Sequence, residues 1–360
     1  MTQSLLDDLR KEIEKKDRDL VESLNERARL SIEIGKLKEK EGLPIYDPAR
    51  ESVIYRHLAE INEGPLSNNA LNDIFREILS LSRSLQAPIS VAFLGPEASF
   101  THLAAQSHFG RGTQFVSQHT IFDVFDQVER GRVSWGVVPV ENSLEGTVNL
   151  TLDRLLMTPL NIMAEIYLPI SHCLMSTGTD VNALKRIYSH PQALAQCQGW
   201  LRKNLPNCSI HAAESTARAA QMALEDKESA SIGSKKAASL YGLMIISEFI
   251  GDHPSNVTRF LVIGRGTGKP TGRDKTSILF GTRHEPGALY RSLEPFARKK
   301  INLMKIESYP IKESMWEYLF FVDINGSIGD KKTKDCLKEL REKATFFKML
   351  GSYPIGESPL

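Results

Sequence analysis

The chain has 360 residues and is almost electroneutral, with 45 Lys and Arg against 44 Asp and Glu and a net charge of +1. The length allows two to four domains, and without a basic block or an aromatic-interleaved Lys/Arg stretch the chain offers nucleic acid no electrostatic footprint. No apolar run approaches the ~20 residues of a membrane span, and the polar start lacks a signal-peptide pattern. Cys173, Cys197, Cys208 and Cys336 show neither CxxC nor metal-ligand spacing, which predicts a cytoplasmic protein with reduced thiols.

The first predicted element is a long helix. Leu6, Ile13, Leu20 and Ile34 recur at seven-residue steps along one face, and Arg27 occupies the step between the last two. A cation on such a stripe needs an anionic partner, because burying an unpaired charge costs more than one leucine's packing contributes. The adjoining line carries Arg10, Asp17, Leu24, Ser31 and Lys38, so two more cations lie near the seam, and internal salt bridges or a solvated edge stay open as the plain alternative for each. Helical rise places Arg27 and Lys38 about 16 Å apart and about 20° apart around the axis, close enough for two long side chains to close on one small dianion. Arg10 lies roughly 25 Å from Arg27 on the same rod, so it can join that pocket only from a second chain. The spacing predicts a dimer built on this helix, with two equivalent sites.

Gly42 and Pro44 stop the first helix, and Asp47-Pro48 reads as N-cap and first position of a second, with Arg50 and Glu51 in its opening turn. Asn62 to Pro65 break that helix. A third begins near Ser67, brings Ser82 and Gln86 onto one face four residues apart, and ends at Pro88. In this order the residues resemble the all-helical bacterial type of chorismate mutase, over residues 4 to 87. The resemblance implies a three-helix module that intertwines with a second copy. Arg27 and the partner's Arg10 would hold two substrate carboxylates with help from Ser82. Lys38 and Gln86 would face the ether oxygen of the breaking bond as the catalytic pair. Glu51, with Arg50 and Asp47, would hold the ring hydroxyl end.

From Ile89 the texture changes to short apolar runs alternating with helical patterns, which predicts a parallel α/β sheet. Ser90–Leu94 reads as a buried strand that ends in Gly95-Pro96, ahead of a helix carrying Ser99, Phe100 and Thr101. Trp135–Val140 runs into Glu141-Asn142-Ser143, Arg186–Ser189 into His190-Pro191-Gln192, and Asn256-Val257-Thr258-Arg259 into the strand Phe260–Ile263. Polar residues at strand ends are where open sheets bind ligands. Together these segments resemble prephenate dehydratase over residues 89 to 266, with Thr258-Arg259-Phe260 the most specific signature. The resemblance implies two α/β lobes of the periplasmic-binding-protein type, with the chain crossing near residue 169 and returning near 250. Thr258 would donate a proton to the departing hydroxyl, with Glu141 a supporting partner. Arg259 would organise the site or bind a carboxylate, and Asn142, Ser143, Ser189, Gln196 and Phe260 would line it.

Gly264-Arg265-Gly266-Thr267-Gly268-Lys269 has a phosphate-loop look, but Pro270 and Gly272 stand where a helix must begin, so it reads as a linker. Beyond it come Thr276–Thr282, a helix from Gly287 to about Lys300, Leu303–Tyr309, Tyr318–Ile324, a helix from Lys331 to Lys343, and Phe346–Leu350. This βαββαβ order indicates an α+β ferredoxin-like fold. It resembles an ACT regulatory domain. The resemblance implies phenylalanine bound by Gly287, Ala288 and Leu289 with Glu307, Ser308 and Pro310, at an interface between two such domains. Tyr309 stands where that family usually has Arg.

The expected organisation is therefore 1–88, 89–268 and 274–355: a bifunctional enzyme taking chorismate to prephenate and prephenate to phenylpyruvate, inhibited by L-phenylalanine. It would need no cofactor or metal and would work as a homodimer or homotetramer. Two alternatives stay open: a dehydratase preferring arogenate, and a non-catalytic solute-binding or amino-acid-sensing protein.

Overall fold

The computed structural model describes residues 2–310 and 318–356. The chain divides into two compact units, Met1–Asp47 with Leu58–Ile89 and Phe109–Gln114 in the first, and the remaining segments in the second.

The first unit is built on α1 (Thr2–Lys40), the end of α2 (Pro48–Ile61) and α3 (Asn68–Gln86). The α1 segment is rich in Leu, Glu, Lys and Arg and meets no glycine before Gly35 and no proline before Pro44, so nothing interrupts a strong helical preference over about 58 Å. It stops where Gly42 takes φ +63°. Ser67 caps α3 by accepting from the Ala70 amide, and Ala87, extended ahead of Pro88, ends it. Gly35 is the contact point of α1 with α3, because a Cβ there would lie 2.9 Å from the Gln86 side chain. Arg83 on α3 is buried. It donates to the Phe109 carbonyl at 2.5 Å and lies over the Tyr46 ring. By contrast the predicted seam on α1 is uncovered: Leu6, Ile13, Leu20 and Ile34 are 45% to 59% exposed.

The second unit opens with β1 (Ser90–Leu94), α4 (Phe100–Phe109), β2 (Gln114–Gln118), α5 (Ile121–Glu129), β3 (Trp135–Asn142), β4 (Gly146–Thr147), α6 (Asn149–Met157) and β5 (Asn161–Pro169). The chain then crosses to a second lobe, with β6 (Cys173–Ser176), β7 (Arg186–Ser189), α7 (Pro191–Gln196), α8 (Gln198–Asn204), β8 (Ser209–Ala212), α9 (Thr216–Glu225), β9 (Ser229–Gly233), α10 (Lys235–Tyr241) and β10 (Met244–Ser247). It returns as β11 (Val257–Gly264). The first sheet runs β2-β1-β3-β11-β5 with β4 on β3, and the second β10-β6-β9-β7-β8. The two crossings are tied together, Ile170 donating to the Asn256 carbonyl and Ile250 to the His172 carbonyl.

The crossing points fall where the resemblance implied, after β5 and between β10 and β11, but neither sheet is purely parallel. β11 enters antiparallel to both β3 and β5, and β6 is antiparallel to β9 and β10. The apolar run Phe260–Ile263 signals a strand buried on both faces, and that signal carries no direction.

The C-terminal elements are β12 (Asp274–Gly281), α11 (Ala288–Arg298), β13 (Leu303–Pro310), β14 (Tyr318–Asn325), α12 (Lys331–Lys343) and β15 (Phe346–Pro354), in the order β13-β14-β12-β15. That is the ferredoxin-like arrangement expected, with β15 four residues longer than predicted. Its far end packs on the first lobe, where a Cβ at Gly351 would meet the Ile162 carbonyl at 2.2 Å. Side chains of α5, α6, β3, β5 and β11 share one core with Leu279, Tyr309, Leu319, Phe321, Leu350 and Tyr353. The C-terminal sheet thus covers one face of the first lobe's sheet.

Candidate active sites

On the helical unit, the Arg27 guanidinium donates to the Ser82 hydroxyl, which itself donates to the Ile78 carbonyl at 2.7 Å. Gln86 sits against Gly35, one turn of α1 from Lys38, and Lys38 donates to the Ile45 carbonyl at 2.8 Å. Arg27, Lys38, Ser82 and Gln86 therefore line the α1 and α3 surfaces of one unit. The Gln86 amide oxygen is buried with no hydrogen-bond partner among the described residues. Arg10 is not with them. It is two-thirds exposed and pairs with Asp7 on its own helix at 3.3 Å. Asp47 closes the first unit, whereas Arg50 and Glu51 belong to the portion of α2 assigned to the second.

The second site grows from the period of a strand. On β11, Thr258 pairs with Asn142 of β3 and Arg259 with Glu141, after which the register slips so that Phe260 meets Pro139 and Val140 is the extra residue. Neighbouring residues of a strand face opposite sides, and a bulge re-aims the strand next to it. Thr258 and Asn142 therefore share one face, and Arg259 and Glu141 the other.

On the Thr258 face lies a chain of amides whose direction is fixed by chemistry. The Asn142 Oδ1 accepts from the Leu144 and Glu145 amides at 3.0 and 3.2 Å, so its nitrogen must be the group that donates to Thr258 Oγ1 at 2.8 Å and to Asn256 Oδ1 at 2.7 Å. Asn256 in turn donates to Gln196 Oε1 at 3.0 Å. Gln196 donates to Glu145 at 2.7 Å and Gln192 to the same carboxylate at 2.5 Å. Glu145 follows β3 of the first lobe and the two glutamines belong to α7 of the second, so the chain spans the cleft between lobes. Because Gln196 Oε1 only accepts, the His172 Nε2 at 2.8 Å carries the hydrogen. Its Nδ1 is then the bare nitrogen, buried with no hydrogen-bond partner among the described residues. Burial lowers the His172 pKa and so favours the neutral ring, while the bond to Gln196 works the other way. Thr258 receives a hydrogen bond from Asn142, a bond that does not consume its own proton.

The other expected contacts are placed differently. Ser143 ties the two segments by accepting from the Val257 amide and donating to the Ser255 carbonyl. Ser189 is fully buried and donates to the Ile232 carbonyl. His190 is the N-cap of α7. Phe260 is a buried core ring. Glu141 and Arg259, expected beside Thr258, lie on the opposite face. Arg259 is 4% exposed and is engaged by Asp323 at 2.5 Å, Glu165 at 2.8 Å and Tyr353 at 3.0 Å, while Glu141 pairs with Lys305 at 2.8 Å. Sequence reasoning missed Asn256, Glu145 and His172. Asn256 lies two residues before Thr258 in a strand-like stretch, the spacing of a shared face, and that was a usable signal.

In the C-terminal domain, Gly287 in the left-handed region (φ +78°) precedes α11, which Ala288 and Leu289 open. Glu307, Ser308 and Pro310 end the edge strand β13. Tyr309 points into the core shared with the first lobe, where its hydroxyl has no hydrogen-bond partner among the described residues.

Three family models match consecutive stretches: chorismate mutase type II over residues 9–87, prephenate dehydratase over 91–267 and the ACT domain over 276–342. The bifunctional chorismate mutase/prephenate dehydratase of Aquifex aeolicus is 47% identical over 97% of this chain and 98% of its own length. This chain belongs to the bifunctional chorismate mutase/prephenate dehydratase family. The Pseudomonas aeruginosa member is 42% identical over 98% of both chains. Among solved structures, the prephenate dehydratase of Arthrobacter aurescens in complex with L-Phe is 33% identical with a TM-score of 0.69, covering 74% of this chain and 90% of that one. The chorismate mutase match spans α1 to α3, and the prephenate dehydratase match spans the two lobes from β1 to β11.

Proposed function

We propose that this chain rearranges chorismate to prephenate on the helical unit and converts prephenate to phenylpyruvate between the two α/β lobes, under control of phenylalanine at the C-terminal domain. The mutase step is pericyclic, with no proton to move and no covalent intermediate, so fixed cations and an amide suffice to hold a compact conformer and stabilise charge on the ether oxygen. Arg27 with Ser82 holds carboxylate, and Lys38 with Gln86 faces the ether. Arg10, about 25 Å away along α1, completes the pocket of a partner chain. The uncovered stripe of Leu6, Ile13, Leu20 and Ile34 is the surface on which that partner packs. The protein is accordingly a dimer at least.

In the dehydratase step the electron pair of the ring–carboxylate bond moves into the ring as carbon dioxide departs, the ring becomes aromatic, and the ring hydroxyl leaves as water after taking a proton. Hydroxide is a poor leaving group, so the proton must be placed. Thr258 supplies it and is reprotonated from solvent. The observation that carries this reading is the hydrogen bond from Asn142 to Thr258 Oγ1, whose direction is dictated by two backbone amides and leaves the threonine proton for the substrate.

No helix among the described residues is long and apolar enough to cross a membrane. The four cysteines are free, which accords with the cytoplasmic location we assign. The reading is tested by Thr258→Ala: phenylpyruvate formation, followed by its ultraviolet absorbance, should fall by about 10²–10⁴-fold while chorismate turnover is kept. Retention of the dehydratase rate within tenfold removes Thr258 from the mechanism.

A further inference from the structure

Thr258 and Arg259 are adjacent in sequence, yet their side chains serve different domains. Behind β11, Arg259 meets Glu165 of β5 at 2.8 Å, Asp323 of β14 at 2.5 Å and Glu141 of β3 at 3.9 Å. Glu165 is shared with Lys275 of β12 at 2.8 Å, and Glu141 with Lys305 of β13 at 2.8 Å. Three carboxylates thus face three cations, and each cation bridges the first lobe and the C-terminal sheet. The hydroxyls are ordered too. Asp323 can only accept, so Ser277 donates to it at 2.5 Å and Tyr353 donates to Ser277 at 2.6 Å. Arg259, Glu165, Asp323 and Lys275 are all at most 4% exposed.

A balanced buried cluster of this kind is stiff. Displacing one member strands an uncompensated charge, so the cluster has few tolerable arrangements. It is also bonded into β11 one residue from the hydroxyl that protonates the substrate. We propose that the Arg259–Asp323–Ser277–Tyr353 cluster is the mechanical link between the C-terminal domain and the dehydratase site, with Arg259 a positioning residue for Thr258. A ligand on the C-terminal domain alters the dehydratase rate by shifting β14 and β12 against β11. The amount it can shift is limited to its own difference in affinity for the two arrangements. The inference rests on the reading of Thr258 as proton donor and of phenylalanine as effector. It goes beyond both by naming the residues that couple them.

The test uses the full chain with Asp323→Asn and the milder Ser277→Ala, neither of which touches substrate. Without phenylalanine, both variants should lower kcat for phenylpyruvate formation at least fivefold with KM within twofold, and chorismate turnover should stay unchanged. With phenylalanine, calorimetric titration should give an affinity within threefold of the parent, while the inhibition ratio at saturation falls to less than a fifth. An unchanged kcat together with an unchanged inhibition ratio overturns the link. Loss of phenylalanine binding in both variants also overturns it, since the cluster would then serve only the C-terminal fold. If the parent itself fails to bind phenylalanine, the effector reading falls, and the kcat measurement alone decides whether the cluster positions Thr258. Should Asp323→Asn not fold, Ser277→Ala decides on the same criteria.

Discussion

Under the assignments proposed above, the helical unit and the two-lobed domain solve the problem of holding a dicarboxylate in opposite ways. On the helices the proposed working groups are chiefly permanent charges on long side chains, assisted by Ser82 and Gln86, along a rod whose apolar stripe is uncovered in one chain. In the cleft the proposed groups are neutral amides and one hydroxyl, anchored by the Glu145 carboxylate and two backbone amides of the same chain. The difference follows from the chemistry. A pericyclic step needs only fixed charge, which tolerates long side chains and can be shared between subunits, whereas an elimination needs a proton at one place. An amide chain specifies where each hydrogen lies.

The contrast breaks at its strongest point if the cations are dispensable. Arg27→Ala should lower mutase kcat/KM by about 10²–10³-fold with the dehydratase rate unchanged, read by following chorismate disappearance and phenylpyruvate appearance in the same preparation. A comparable fall in both activities would mean that the two sites are not wired separately.

A second substitution sharpens the distinction between groups that titrate and groups that do not. Gln86 donates at every pH, so parent mutase activity should persist above neutrality. Gln86→Glu can donate only while protonated, so its activity should be confined to acid and fall at least tenfold between pH 5 and pH 8. A flat profile would remove Gln86 from the ether oxygen.

The smallest expected effect concerns His172 in the cleft. Its pKa lies below the ordinary 6.5 because it is buried, with the bond to Gln196 working the other way. Between the folded and unfolded values the unfolded chain binds the extra proton, so this group's contribution to stability declines as pH falls below 6.5. The slope is at most about 1.4 kcal/mol per pH unit. In His172→Gln, melting temperatures measured from pH 7 to pH 5 should fall less steeply than in the parent. An identical slope would show that His172 is protonated equally in both states. His102, lowered by burial as well, remains as background in both proteins.

These predictions also mark what was legible in the chain. The first helix and its cations were readable because helical periodicity is local, and the C-terminal βαββαβ order because each element announces itself. The crossing points came from the resemblance to prephenate dehydratase and not from any local pattern. Sheet direction was not, since Phe260–Ile263 encodes burial and leaves orientation open. Nor was the division of labour around Thr258 read in full. Alternation along a strand already separates Thr258 from Arg259, but only the covering domain, with Asp323 and Tyr353 brought from 64 and 94 residues away, explains why a guanidinium is tolerated there. Glu145 and His172 join the candidate site through contacts 51 and 24 residues long with Gln196, which no local pattern reveals.

The most direct test of the contrast is to mix two inactive mutase variants, Arg10→Ala and Arg27→Ala, after exchanging their subunits. If each helical site draws Arg27 from one chain and Arg10 from its partner, half of the dimers are mixed and each of these holds one intact site. About a quarter of the parent mutase activity should then return, with dehydratase activity constant throughout. No recovery above the separate variants, in a preparation shown to contain mixed dimers, would contradict the shared site.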